Sequence, residues 1–181
     1  VSVALLLTPG ASATRDSPAL VAIDRTVSAD GVECERIDLP SSRPGPKVFQ
    51  AITDAAAALT ERAGGVVLGG RSFGGRMCSV VVADGLPALG LALISYPLHP
   101  PGRPEQLRVE HFPRLEVPCL FVSGTRDAFA TPVELEAAAA AIPGPVTHVW
   151  IDGGDHGLRK HDRRVAEAVR DWVRTVGGPR G

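Results

Sequence analysis

The stretch "GGVVLGGRSFGGR" (residues 64–76) decides how this chain is read. Val66, Val67 and Leu68 lie between glycine pairs, as a short buried strand would, and Met77, Val80 and Val81 then recur at helical spacing. Gly70-Arg71-Ser72-Phe73-Gly74 therefore falls on a strand-to-helix turn and has the form G-x-S-x-G. A turn that sharp lifts its central side chain above the sheet, on a strained backbone, and Cβ atoms two residues to either side would collide with it. Glycines at 70 and 74 meet that demand. The helix beyond offers its N-terminal dipole and the free amide of Phe73 to a developing negative charge. A plain tight turn with an N-capping serine would use similar residues, so the other strands must decide.

Two phosphate-binding readings of the same stretch fail. Gly65, four spacers and Gly70-Arg71-Ser72 approach the G-x-x-x-x-G-K-S pattern, but there the spacers form a loop that cradles the anion. Here they include the strand itself, and arginine replaces the lysine. The G-x-G-x-x-G spacing is not met either.

Working outward, elements alternate. Residues 3–7 are an apolar run closed by Pro9-Gly10; Ser17-Pro18 places an N-cap before proline at the first helical position, with Leu20, Ile23 and Val27 behind it. "VECERIDLP" (32–40) reads as a strand, and Val48, Phe49, Ile52, Ala55, Ala56 and Leu59 pattern an amphipathic helix. "LGLALISYP" (89–97) and "CLFVSG" (119–124) are continuous apolar runs, as in strands covered on both faces. Between them residues 98–118 form a proline-studded irregular segment with one helical turn expected at 105–109. Thr131-Pro132-Val133-Glu134 is a capping box opening an Ala-rich helix. "VTHVWI" (146–151) is the last strand, and Val165, Val169, Trp172, Val173 and Val176 mark the last helix. The pattern predicts an α/β, doubly wound, mostly parallel sheet of about six strands with helices on both faces, in a single domain over residues 1–181.

In such sheets ligands bind beyond the carboxyl ends of the strands. Asp127 follows the strand at 119–124, and His156 sits in a glycine-rich loop after the strand at 146–151. A serine hydroxyl needs a base to take its proton, and the base needs a third group to hold its tautomer. Ser72, Asp127 and His156 occur in the order this fold uses, at one sheet edge. Rival residues have plainer roles: Asp152 and Asp155 as loop caps, His99 and His111 as exposed loop histidines, His148 and His161 as structural ones. Arg71 and Arg126 precede two of the candidates; an anionic substrate would use them, while salt bridges are the plainer assignment.

The opening "VSVALLLTPGASA" (1–13) raises a rival of another kind, a secretion signal ending in Ala11-Ser12-Ala13. It has no charged n-region, and the strand reading supplies what the site lacks. An oxyanion hole needs a second amide from the loop after the first strand, and Ala11 or Gly10 provides it. The strand reading is adopted, and with it a cytoplasmic location.

Composition excludes other classes. Nineteen basic and 20 acidic residues leave a net charge of −1, and aromatics are 4%, so no footprint for nucleic acid exists. No apolar run approaches the ~20 residues of a membrane span. Of the three cysteines, Cys34 and Cys119 lie in strand-like runs and Cys78 in a helix-like one; no zinc spacing links them, and no metal or cofactor is expected.

"GGRSFGGR" (69–76), residues 96–113, 120–135 and "IDGGDHGLR" (151–159) together resemble a dienelactone-hydrolase-like branch of the α/β-hydrolases. That branch includes small bacterial proteins, the testis-expressed-protein group and a subunit of a chromatin acetyltransferase complex. The resemblance spans nearly the whole chain and implies Ser72, Asp127 and His156 as triad positions; in departure from it, no cap domain is evident. The loop reads Thr8-Pro9-Gly10-Ala11, where many relatives carry histidine before the glycine. The expected activity is hydrolysis of a carboxylic ester, thioester or lactone, a small-molecule substrate, with Phe73 and Ala11 amides holding the oxyanion. Leu98, Phe129 and Leu158 would wall the pocket. The alternative is a non-catalytic interaction domain of the same fold.

Overall fold

The computed structural model describes residues 2–178. Six strands and five helices alternate except between β4 and β5, which a long irregular segment joins: β1 (Ala4–Thr8), α1 (Pro18–Ser28), β2 (Glu33–Arg36), α2 (Pro46–Ala63), β3 (Val66–Arg71), α3 (Phe73–Ala83), β4 (Gly90–Ile94), β5 (Cys119–Gly124), α4 (Pro132–Ala139), β6 (Val146–Ile151) and α5 (Asp162–Val176). The strands form one sheet in the order β2-β1-β3-β4-β5-β6, every pair parallel. This is the α/β-hydrolase fold in minimal form.

Strand side chains alternate between two apolar layers, which explains the unbroken hydrophobic runs. Leu5, Leu7, Val67, Ile94 and Val122 face α1 and α5, where Leu20, Ile23, Val165, Val169 and Trp172 are buried. Leu6, Leu68, Leu93 and Phe121 face the other layer, with Ile52 and Leu59 of α2 and Met77 of α3. Each fully buried Leu or Ile there contributes about 1.5–3 kcal/mol of transfer free energy. Among the described residues no helix is long and apolar enough to cross a membrane.

The chain leaves β1 toward β2 on one side and returns to β3 on the other, so the order reverses between β1 and β3. Connections diverging from adjacent carboxyl ends leave a crevice there, the usual ligand position in such sheets. Thr8 pairs with Gly70 at this point. The crevice is held close by missing side chains: a Cβ on Gly70 would strike Thr8 Oγ1, and one on Gly74 would strike the Pro9 carbonyl.

Several local expectations differ. β2 pairs only over Glu33–Arg36, short of Pro40, because its partner β1 ends; a last bond runs from the Ile37 N–H to the Leu7 carbonyl. No helical turn forms at 105–109. The Arg108 N–H bonds back to the Leu98 carbonyl instead, and a 3₁₀ turn forms later at Phe112–Arg114, where Pro113 presets the backbone. Ser17 takes the N-cap position of α1, but its side chain makes no capping bond. Thr131 and Glu134 do form the reciprocal capping box on α4.

Candidate active site

Ser72 sits between β3 and α3 with φ 49° and ψ −118°, a conformation costly for a residue with a Cβ. Two backbone bonds hold it there: its N–H donates to the Ile94 carbonyl at 2.8 Å, and its carbonyl accepts from Arg76 at 3.0 Å. Its side chain is left free to rise above the sheet edge. Ser72 Oγ lies 2.9 Å from His156 Nε2. His156 Nδ1 lies 3.0 and 2.9 Å from the two carboxylate oxygens of Asp127. Asp127, 1% exposed, also accepts from the Phe129 N–H at 2.8 Å. The structure thus brings the three residues, far apart in the chain, into one hydrogen-bonded line.

The loops carrying Asp127 and His156 interlock. The Arg126 N–H donates to the Gly154 carbonyl at 2.8 Å, and a Cβ on Gly124 would strike that same carbonyl. The Phe129 ring lies on the His156 imidazole, with centroids 3.9 Å apart. Arg71 donates to the His156 carbonyl at 2.9 Å, tying the histidine loop to β3. Burial holds the Arg71 guanidinium below its ordinary pKa.

Ala11 and Phe73 line the same cavity as Ser72, a space of about 450 Å³. That volume is in the range of small-molecule sites. Neither amide has an acceptor within the protein among the described residues. Gly10 lies beside the site: a Cβ there would sit 3.3 Å from Arg71 Nη1 and in ordinary contact, 3.8 Å, with Ser72 Cβ.

Of the other expected roles, some agree with the structure and some do not. Phe129 lines the cavity, but Leu98 and Leu158 are core residues, 0% and 3% exposed, and do not. His99 and His111 are buried, not exposed. His99 bonds to the Pro100 carbonyl and to Glu134, and His111 Nε2 lies 2.7 Å from Ser79 Oγ. Burial pushes His111 down to about 4. Arg71 and Arg126 make no salt bridge among the described residues; only Arg71 reaches the cavity. Asp155 caps its loop by accepting from the Leu158 N–H at 3.0 Å. His148 stacks between Phe121 and Trp150, and His161 precedes α5. Cys78 is buried behind the turn, and burial pushes its thiol up to about 12. Among the described residues no group of three or more His, Cys, Asp or Glu side chains is placed to hold a metal ion.

Arg76, Arg108, Ser42 and Pro44 also line the cavity and were not anticipated. Arg76 was within reach of sequence reasoning, lying four residues after Ser72 and so on the same helix face. Arg108, Ser42 and Pro44 lie on irregular loops whose paths no periodicity foretells.

Solved structures with this architecture include Est1E from Butyrivibrio proteoclasticus, with a TM-score of 0.81 at 16% identity over 95% of this chain and 86% of that one. An alpha-beta serine hydrolase homologue from Coxiella burnetii matches with a TM-score of 0.76 at 15% identity, over 94% of this chain and 85% of that one. A thermophilic esterase from Thermogutta terrifontis matches with a TM-score of 0.73 at 22% identity, over 98% and 91% respectively. Identities this low show a shared fold. Residues 1–176 match the model of the family described as an alpha/beta hydrolase domain, and the chain belongs to that family.

Proposed function

We propose that this chain is a serine hydrolase that cleaves a carboxylic ester, thioester or lactone through an acyl-enzyme on Ser72. The observation that carries the proposal is the 2.9 Å approach of Ser72 Oγ to His156 Nε2, backed by the 2.9 Å approach of His156 Nδ1 to Asp127. His156 takes the hydroxyl proton as Ser72 attacks the carbonyl, and Asp127 holds the tautomer and balances the imidazolium. The negative charge on the carbonyl oxygen is received by the amides of Phe73 and Ala11, each such donor contributing about 10²–10³ in rate. His156 then protonates the leaving group, and water, activated by the same imidazole, releases the acid. The mechanism calls on no cofactor.

The sequence blocks at 96–113, 120–135 and 151–159 support placement in the dienelactone-hydrolase-like branch, and one sheet with two continuous layers supports a single domain. Three free cysteines support a reducing, cytoplasmic setting.

A fluorophosphonate probe, located by peptide mass spectrometry, tests the proposal alongside p-nitrophenyl esters of graded chain length. Wild type is expected to take the probe on Ser72, Ser72→Ala to take none, and Cys78→Ala to be labelled as wild type is. A folded wild type that neither takes the probe nor releases p-nitrophenol would favour the non-catalytic interaction domain.

A further inference from the structure

The cavity above Ser72 is lined by three arginines, Arg71, Arg76 and Arg108, and by no aspartate or glutamate. This is local, because the chain as a whole carries 19 basic and 20 acidic residues. Their burial also sets them apart: the other arginines without an ion pair among the described residues, Arg25, Arg43, Arg103, Arg126, Arg159 and Arg164, are exposed, whereas Arg71, Arg76 and Arg108 are half-buried. Several arginines elsewhere are paired. Arg36 pairs with Asp16 and Asp24, Arg62 with Glu33 and Glu35, and Arg114 with Asp84. The three cavity arginines make no ion pair among the described residues. Arg71 and Arg108 donate only to carbonyls, of His156 and Pro97, and Arg76 Nε is buried with no hydrogen-bond partner.

Without a counter-charge this arrangement is unfavourable. Burial disfavours the charged form of both Arg71 and Arg108, and the neighbouring charge of Arg76 disfavours that of Arg108 further. Asp127, Asp155 and Asp162 offset part of the effect on Arg71 from beyond ion-pairing distance. A partly desolvated cation without a counter-charge is costly, and an anion supplied from outside removes the cost. Guanidinium suits a carboxylate in particular, since its planar fork can donate two parallel bonds.

We infer that the substrate is an ester bearing a second, anionic group, a carboxylate, received by Arg76 and Arg108 with Arg71 at its side while the ester carbonyl meets Ser72. The inference rests on the hydrolase reading for the ester half of the substrate; the anion site stands on the arginines. Arg76 is one helical turn from Ser72 and Arg108 faces the cavity from the long loop, so the carboxylate lies a few bonds from the scissile carbonyl.

Two measurements test it. In calorimetry on the Ser72→Ala protein, monomethyl adipate is expected to bind at least roughly tenfold more tightly than neutral dimethyl adipate, the gain of a charge-assisted hydrogen bond. The difference should shrink as salt is raised. Arg76→Gln and Arg108→Gln should each remove most of it, whereas Arg108→Lys, which keeps the charge, should retain part. Equal affinity for the two esters would overturn the inference. In kinetics, wild type should release p-nitrophenol from mono-p-nitrophenyl adipate with a kcat/KM at least roughly tenfold above that for its methyl ester, and Arg108→Gln should act on KM. Equal rates on both would overturn the anion site while leaving the hydrolase standing. If neither is turned over and Ser72 takes no probe, the hydrolase reading fails, and the calorimetry alone decides whether the cavity binds a carboxylate.

Discussion

The ring of Phe129 lies against the imidazole of His156, with centroids 3.9 Å apart and planes inclined by 23°. The same residue donates its backbone N–H to Asp127 Oδ1 at 2.8 Å. One residue therefore braces both His156 and Asp127, the proposed base and its proposed orienting acid, through side chain and main chain respectively. Phe129→Leu should keep the amide bond and lose the stacking, worth about 0.5–1.5 kcal/mol. The expected result is a kcat on a p-nitrophenyl ester lowered about 3–10-fold, with KM little changed, read from steady-state kinetics.

Asp127→Asn removes the charge and leaves the shape. An amide can present N–H to His156 Nδ1, which would put the ring proton on Nε2 and turn it toward Ser72, where an acceptor is needed. We expect kcat to drop by about 10³–10⁴-fold at neutral pH, with fluorophosphonate labelling of Ser72 slowed in proportion. An unchanged rate would mean that Asp127 has no part in the chemistry.

Gly74 is where α3 meets the loop after β1. A Cβ there would lie 2.5 Å from Thr8 Oγ1 and 2.8 Å from the Thr8 carbonyl carbon, and these cannot yield without moving Ala11. Gly74→Ala should destabilise the protein by about 1–3 kcal/mol in urea titration and lower kcat together with it. Gly45 is the comparison, with no atom within 4 Å of the place a Cβ would take and an extended backbone at φ 168°. Gly45→Ser should leave stability within about 0.5 kcal/mol.

Two buried histidines give opposite pH signatures. His111, pushed down to about 4 by burial, stays neutral while the unfolded chain takes up a proton near the ordinary 6.5. Its contribution to stability is therefore lost as pH falls from about 6.5 toward about 4. His99 is raised, first by its bond to the Pro100 carbonyl and further by Glu134, so its contribution is present below 6.5 and lost as pH rises through its folded-state value. Between pH 7.5 and 5, the urea midpoint of His111→Gln should fall less than that of wild type, and that of His99→Gln should fall more.

Much of the fold was legible because its signals are local. Strand runs such as "CLFVSG" (119–124), the proline-led helix starts and the glycine-flanked turn at Ser72 each follow from backbone sterics and apolar periodicity within a few residues. The chain order of Ser72, Asp127 and His156 also follows, because parallel connections return every strand end to one rim.

What the sequence by itself determined is thus the alternation of elements and the edge at which the three candidate side chains emerge. Tertiary structure alone decided the rest: that His99 and His111 are enclosed, that Leu98 and Leu158 join the core, and that Arg76 and Arg108 meet beside Ser72. These outcomes depend on where the long segment between β4 and β5 lies against α3. Its path is set by contacts between residues distant in sequence, such as Ser79 with His111 and Tyr96 with the Arg108 carbonyl, which no local pattern encodes.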